Sequence, residues 1–225
     1  MKKATLFGCA FAICVVYSSS LAQATTIALW TFETTPPTSA GPHSADFGTG
    51  TATSVHASAT TEYTTPSGNG SEMSWNSNSW AVGDYYQFQV STLGESEVML
   101  TWDQTRSSAG PRGPSPFTNS NFRLQYSTDG LAFADVIDYL VPAASPNWNS
   151  TTVNLANRYS YDFSSNPALD NQANVYFRLT AILPPQNSGG QSRVDNIRVT
   201  AIPEPASLML VLLGGALVAT GRKRG

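Results

Sequence analysis

Short runs in which apolar and polar residues alternate recur through the middle of the chain. In residues 85–90, the side chains of Tyr86, Phe88 and Val90 fall on one face and the intervening residues on the other. Because successive side chains of a strand point to opposite faces, this alternation predicts a half-buried β-strand. Similar patterns predict strands at 27–32, 53–57, 97–103, 122–127, 134–141, 151–155, 175–181 and 194–200.

Turn residues separate these runs. Asp129 and Gly130 follow the run 122–127, and this dipeptide favours a hairpin with 134–141 as the partner strand. The region 40–70 is rich in Gly, Ser, Thr and Pro and predicts only the weak strand at 53–57. Outside the two ends, the sequence predicts no amphipathic helix. Many short strands with regular turns indicate an all-β domain, an antiparallel β-sandwich.

The N-terminus is typical of a secretory signal peptide. Two lysines precede an apolar run over residues 4–17, and the small residues Ala22 and Ala24 fit the pocket of signal peptidase. We therefore expect residues 1–24 to be removed by cleavage before Thr25. The alternative is an uncleaved anchor helix.

The C-terminus predicts one short hydrophobic helix. Residues 206–220 are 15 positions without a charge, and as a helix they would span about 22 Å, less than the roughly 20 residues usual for a membrane span. The chain then ends in a basic cluster: Arg222, Lys223 and Arg224. Such a cluster predicts a cytoplasmic tail with the bulk of the chain outside. Pro203 and Pro205 cannot continue a helix, so they separate the ectodomain, 25–201, from the tail, 202–225.

The sequence Pro203-Glu204-Pro205, the apolar stretch and the terminal basic cluster together resemble the PEP-CTERM sorting signal, also known as the ice-binding protein C-terminal type of tail. The resemblance implies export, transient anchoring in the inner membrane through the C-terminal helix, and recognition by an exosortase. It also implies a Gram-negative bacterium that makes exopolysaccharide, with the protein finally at the cell surface or in the extracellular matrix. The alternative is a plain tail anchor with a proline hinge.

Charge and cysteine content narrow the possible functions. Seven arginines and all 15 acidic residues lie within residues 25–204, so the net charge of this stretch is close to −8. Such a surface would repel a phosphate backbone, which argues against nucleic-acid binding as a function. Both cysteines, Cys9 and Cys14, lie in the leader. The ectodomain therefore has no disulfide, no cysteine metal site and no thiol nucleophile.

No catalytic motif is present, and three tryptophans are the candidate ligand-binding residues. The sequence contains no Gly-x-Ser-x-Gly, no His-Glu-x-x-His and no phosphate-binding glycine loop, so we expect the protein not to be an enzyme. Trp75, Trp80 and Trp148 are surrounded by Ser and Asn. Aromatic faces stack on sugars while amides bind hydroxyl groups, so these residues are candidates for glycan binding. The alternative is that they fill the core.

Three further segments resemble the jelly-roll domains of carbohydrate-binding modules: Trp102-Asp103, residues 127–130, and residues 194–197. In such modules a Glu at the end of the first strand and an Asp on the last strand often meet at a calcium ion. The resemblance therefore implies a structural calcium site at Glu33 and Asp195. The alternative is that both are turn residues, or that Asp195 pairs with a neighbouring arginine.

Three functions follow from these observations. The first is a non-catalytic exported protein of the cell envelope or extracellular matrix, associated with exopolysaccharide or biofilm and with signal peptidase and an exosortase as processing partners. The second is a carbohydrate-binding adhesin with a defined glycan site. The third is a secreted hydrolase of an unrecognised type.

Overall fold

The computed structural model describes residues 23–113, 119–143 and 147–204. These residues form two antiparallel sheets joined by turns, with two 3₁₀ turns at Leu155–Asn157 and Pro167–Leu169. The strands are β1 (Thr25–Trp30), β2 (His43–Ser44), β3 (Phe47–Gly48), β4 (Gly50–Val55), β5 (Tyr63–Thr64), β6 (Trp75–Ser77), β7 (Tyr85–Val90), β8 (Glu95–Arg106), β9 (Phe122–Ser127), β10 (Ala134–Tyr139), β11 (Arg158–Asp162), β12 (Val175–Ala181) and β13 (Ser192–Pro203). The predicted all-β fold class, an antiparallel jelly-roll-like sandwich, is confirmed.

The long last strand organises the seven-stranded sheet. Its strand order is β11-β8-β13-β1-β3. β8 lies along one side of β13, while on the other side β6 pairs with its beginning and β1 with its end. β5 extends the sheet beyond β6. The first and last strands of the domain are therefore neighbours.

The six-stranded sheet has the order β10-β9-β12-β7-β4-β2 and packs face to face with the first. Aromatic contacts cross the interface: the ring centroids of Trp30 and Phe88 are 5.3 Å apart, and those of Trp75 and Tyr86 are 4.9 Å apart. Both faces that meet here are fully buried at most positions. Burial of this apolar surface is the main source of stability in a domain without disulfides.

The alternation in the sequence identified the buried faces correctly. Tyr86, Phe88 and Val90 on β7 are in the core, and so are the apolar residues of β12. The hairpin between β9 and β10 turns at Asp129 and Gly130 as predicted, with Gly130 at φ 73°.

One predicted strand was wrong, and several short strands were not predicted. Residues 151–155 form no strand, because the side-chain oxygen of Asn149 accepts hydrogen bonds from Thr151 and Thr152 and makes a turn there. The strand lies immediately afterwards, as β11. Region 40–70 contains four strands rather than one, since β2, β3 and β5 have two residues each and are too short to show a period.

The predicted signal peptide with Ala22, and the predicted C-terminal helix with Pro205 and the basic cluster, lie outside the described residues. Ala24 is exposed just before β1. Pro203 ends β13, and the amide of the exposed Glu204 donates to the carbonyl of Gly94 at 2.8 Å. Within the described parts of the chain, no helix is long and apolar enough to cross a membrane.

Candidate functional site

The outer surface of the six-stranded sheet carries an unusual set of side chains. On β7, Tyr85, Gln87 and Gln89 alternate with the core residues and therefore point outward. On β12, Tyr176 and Arg178 do the same. With Gln125 of β9 and Phe133 of the following hairpin, these half-buried residues form what we call the tyrosine–glutamine face: Tyr85, Gln87, Gln89, Gln125, Phe133, Tyr176 and Arg178.

Strand register places these side chains in rows across the sheet. Arg178 lies opposite Gln87 on one side and opposite Gln125 on the other. In the next row, Tyr176 lies opposite Gln89. Directly opposite residues in an antiparallel pair are close enough for their side chains to interact. The face is therefore continuous over three adjacent strands, β7, β12 and β9.

Arg178 lies at the centre of the face, between two aromatic rings. Its Cζ is 3.4 Å from the ring centroid of Phe133 and 3.9 Å from that of Tyr85. Its Nε donates to Oε1 of Gln87 at 2.9 Å. Burial lowers the pKa of the Arg178 guanidinium, an effect that the neighbouring phenol of Tyr85 partly opposes. These contacts hold the two rings and the guanidinium together as one stacked platform.

Amide side chains flank this platform on both sides. On one side, Nε2 of Gln89 donates to Oδ1 of Asn174 at 2.8 Å. On the other, Thr180 donates to Oε1 of Gln125, whose Nε2 donates to Asp135, each at 2.8 Å. The amides are thus oriented by their neighbours. An amide held in this way is suited to binding the hydroxyl groups of a ligand.

At the β10 edge, the face becomes charged. Arg123 binds Asp138 through Nε and Asp135 through Nη1, both at 2.5 Å. The hydrogen bond from Arg123 lowers the pKa of Asp138, and the same bond raises the pKa of Arg123. Two aspartates share one arginine here, so this edge of the face carries one net negative charge.

A groove of about 470 Å³ opens at the opposite end of the face. Thr51, Gln89 and Asn174 belong to its lining, and none of its described lining residues is ionisable. Gly50 in its wall permits a close approach, since a Cβ there would lie 2.7 Å from the Trp30 ring and 2.8 Å from the Gln89 carbonyl oxygen. The groove is therefore uncharged and continuous with the amide side chains.

The three tryptophans predicted to bind a glycan are buried. Trp75, Trp80 and Trp148 are 0%, 3% and 5% exposed. Their Nε1 atoms donate within the protein, to Ser39, Ser77 and Asn157 respectively. Trp75 and Trp80 both contact Tyr86 in the core. None of the three rings has an open face in this structure, so a glycan role for them stays a prediction that the geometry does not favour.

The half-buried aromatic rings on the outer surface of the six-stranded sheet are instead those of Tyr85, Phe133 and Tyr176, to which the sequence pattern assigned no role. The sequence did contain a sign of this outer face. Tyr85, Gln87 and Gln89 alternate along one predicted strand with the residues that were assigned to the core. Outward residues in an alternating strand are ordinarily just solvated. Their grouping with residues of β9 and β12 depends on strand order, which the alternation does not contain.

The predicted calcium ligands lie in different surroundings. Asp195 is fully buried. Glu33 is exposed, and its Oε1 accepts a hydrogen bond from the amide of Met73 at 2.7 Å. Both carboxylates bind the segment 66–74, but through separate contacts. Among the described residues, no group of three or more His, Cys, Asp or Glu side chains could hold a metal ion.

Asp195 belongs to a buried polar network on the outer surface of the seven-stranded sheet. It lies opposite Asp103 in the β8–β13 register, and both residues are fully buried. Arg158 donates to both oxygens of Asp103, at 2.8 and 3.0 Å. The side chains of Asn69 and Asn196 donate to Asp103 at 3.0 and 2.9 Å. Asp103 is thus fully paired.

Asp195 has hydrogen-bond donors but no cation of its own. Its Oδ2 accepts from the amide of Asn69 at 2.7 Å and from Oγ of Ser71 at 2.6 Å, and its Oδ1 accepts from the amide of Asn196 at 2.7 Å. Burial raises the pKa of Asp195 to about 7, and the negative charge of Asp103 contributes in the same direction. The donors that surround this carboxylate present their hydrogens to it, so the arrangement does not fit a calcium ion at Asp195.

The network fixes the segment 66–74 over the sheet. A Cβ at Gly68 would lie 2.3 Å from Oδ2 of Asp195, so only glycine allows this close approach. Asn154 donates from its amide to Oδ1 of Asn69 at 2.6 Å, which ties the segment to the turn before β11. The outer surface of this sheet is consequently covered, whereas that of the six-stranded sheet is open.

No protein-family model matches the chain, and no curated protein matches it. Among solved structures, the chain is similar to the K3 cleaved adhesin domain of Lys-gingipain from Porphyromonas gingivalis, at 12% identity over 79% of this chain and 99% of that one, with a TM-score of 0.44. A structure from a study of promiscuous carbohydrate-binding modules of the β-sandwich superfamily has 13% identity, 76% and 60% coverage and a TM-score of 0.43. The mannan-recognising module TmCBM27 has 11% identity, 80% and 99% coverage and a TM-score of 0.37.

Proposed function

We propose that this chain is a non-catalytic exported protein of the cell envelope or extracellular matrix that binds a neutral polysaccharide on the tyrosine–glutamine face. The observation that supports it is the open sheet surface on which ordered amides flank two tyrosines and a phenylalanine. Aromatic rings offer apolar surface to a sugar ring, and amides offer both donors and acceptors to its hydroxyl groups. Export and exosortase recognition belong to the proposal through the tail motif.

The shape of the surface suits an extended chain. The face crosses three strands and leads into the groove of about 470 Å³. Strands in a sheet are about 4.8 Å apart, so three strands and the groove provide room for a few sugar rings in a row. A ligand without charge is favoured, because Arg178 and Arg123 together balance Asp135 and Asp138, so the face and its β10 edge carry no net charge.

The hydrolase alternative receives no support from the buried carboxylate pair. Hydrolysis of a glycoside by two carboxyl groups requires both to reach a bound sugar. Asp103 and Asp195 are fully buried, and every one of their four oxygens accepts a hydrogen bond from the protein. This pair therefore serves the fold, which supports a binding rather than a catalytic role.

The test is a glycan array probed with the purified full chain, with and without EDTA. We expect binding to neutral polysaccharides that EDTA does not affect. Tyr176→Ala should lower the affinity for the glycan about tenfold, which corresponds to a loss of roughly 1.4 kcal/mol of binding free energy. Leu155→Ala is the matched control, because Leu155 is 68% exposed in a turn that packs against β8 of the other sheet.

Two results would contradict the proposal. One is a folded chain that binds no neutral glycan. The other is a glycan affinity that Tyr176→Ala and Leu155→Ala lower equally, since binding would then not involve the tyrosine–glutamine face. Binding that EDTA abolishes would instead favour the predicted calcium site.

A further inference from the structure

A second cavity, of about 290 Å³, lies where β8 ends and β13 begins. Its lining includes Arg106, Arg193, Ser108, Gln191 and Asn76. Arg106 is the last residue of β8 and lies opposite Ser192. Arg193 pairs with Asn76 on one side and with Thr105 on the other. Two of the seven arginines between the leader and the tail therefore contribute to one small cavity, which we call the arginine pocket.

Neither guanidinium has a carboxylate partner. Arg106 donates from Nε to the carbonyl of Val141 at 2.8 Å and from Nη1 to that of Ser107 at 3.0 Å. Arg193 donates from Nη1 to the carbonyl of Ser67 at 3.0 Å, and its Cζ is 5.4 Å from the ring centroid of Trp148. All 15 acidic residues of the chain are in the described parts, and none of them forms an ion pair with Arg106 or Arg193.

The hydrogen-bond inventory leaves donors for a ligand. A guanidinium has five N–H groups in a planar fork. Among the described residues, Nη2 of both arginines and Nε of Arg193 have no protein acceptor. Ser108 and the exposed Gln191, whose side chains can also donate hydrogen bonds, line the same cavity. The lining is therefore rich in donors and contains no group of opposite charge.

The electrostatics of the pocket favour an anion. Burial lowers the pKa of both Arg106 and Arg193, and the positive charge of Arg112 adds to the effect on Arg106. A partly buried charge without a counterion is unfavourable, and a bound anion would relieve this. The pocket thus differs from the rest of the ectodomain, whose net charge is negative.

We propose that the arginine pocket binds a single carboxylate or sulfate group, carried by an acidic sugar residue or present as a free anion. A planar guanidinium fork matches the oxygens of both groups, and the bonds formed are charge-assisted. A volume of about 290 Å³ suits one ring or one ion rather than an oligosaccharide. The pocket belongs to the seven-stranded sheet, so it is separate from the tyrosine–glutamine face, and neither proposal depends on the other.

The experiment is isothermal titration calorimetry of the full chain with sodium sulfate, sodium glucuronate and glucose, at constant ionic strength set with sodium chloride. We expect the two anions to bind and glucose not to bind at this pocket. Arg193→Gln should weaken anion binding at least tenfold, the effect of losing one charge-assisted hydrogen bond. Arg198→Gln is the matched control, because Arg198 is exposed on the same strand.

Gln191→Glu provides an independent variant that does not disturb the fold, since Gln191 is exposed. It places a carboxylate in the lining and should also weaken anion binding. Glucuronate that binds at least tenfold more tightly than sulfate would indicate an acidic sugar as the source of the group, and equal affinities would indicate the anion alone. The proposal is overturned if neither anion binds the folded chain, or if Arg198→Gln weakens binding as much as Arg193→Gln.

Discussion

The buried carboxyl of Asp195 makes the stability of the domain depend on pH. The side chain is fully buried, lies opposite Asp103 and has no cation of its own. Burial raises its pKa from 3.8 to about 7. The folded chain therefore binds this proton more tightly than the unfolded chain does. The contribution of Asp195 to stability is complete below pH 4 and is lost as the pH rises to 7.

Local hydrogen bonds accommodate the proton. Ser71 donates to Oδ2 of Asp195 at 2.6 Å, and its Oγ is also 3.2 Å from the carbonyl oxygen of Met73. When Oδ2 is protonated, it can donate to Ser71, whose own hydroxyl then turns to the Met73 carbonyl. The neutral acid is thus fully hydrogen-bonded, which is consistent with the raised pKa of Asp195.

The perturbation that tests this is Asp195→Asn, which removes the titrating group. One pKa unit corresponds to about 1.4 kcal/mol, so between pH 8 and pH 5 the protonation of Asp195 should add about 3 kcal/mol to the free energy of unfolding. The variant lacks this gain. The substitution also changes hydrogen bonds, but that effect is the same at both pH values. The difference in unfolding free energy between the wild type and the variant should therefore change by about 3 kcal/mol between pH 8 and pH 5.

Urea unfolding followed by tryptophan fluorescence at pH 5 and pH 8 measures this quantity. Burial also lowers the pKa of His56, so its protonation destabilises the fold at low pH, but this effect is common to both proteins and cancels in the difference. Glu72→Gln, an exposed change in the same segment, is the control and should leave the pH dependence unaltered. Parallel stability curves for the wild type and Asp195→Asn would refute the reasoning.

Two further predictions concern the ion pair and the tail. Arg158→Met should lower the free energy of unfolding by about 2 kcal/mol, because it leaves the buried Asp103 without its cation. Arg198→Met, at an exposed site, is the control and should change the free energy of unfolding little. Equal effects of the two substitutions in chemical denaturation would contradict the assigned role of Arg158. Replacing both Pro203 and Pro205 by Ala should block sorting but not export. Cell fractionation and the size of the processed chain measure both steps. Unchanged processing would exclude recognition of this motif by an exosortase.

The two outer surfaces of the sandwich show which features of the fold the sequence could predict. Alternation correctly separated Tyr86, Phe88 and Val90, which are in the core, from Tyr85 and its outward neighbours. It could not tell that the outer surface of one sheet is open while that of the other is covered. The covering depends on Asn69, which binds Asp103 and the turn at Asn154, residues far apart in the chain.

The tryptophans show the same limit. Trp75 and Trp80 lie five positions apart, so a single regular strand would place them on opposite faces. β6 ends at Ser77, and Ser79 adopts a φ of 54°. The chain therefore turns, and the indole of Trp80 folds back to donate to the carbonyl of Ser77. Both rings consequently reach the same core.

By itself, the sequence determined the properties that depend on local pattern: the all-β class, the inward faces of the long strands, the hairpin at Asp129 and Gly130, and the absence of cysteine from the ectodomain. Strand order, the bulge after Asp195 and the clustering of Arg106 with Arg193 were decided only by the tertiary structure. The physical reason is that side chains alternate between the two faces of a strand, so the sequence pattern shows which face of the sheet a residue occupies. Which distant strand lies beside it follows from packing of the whole domain.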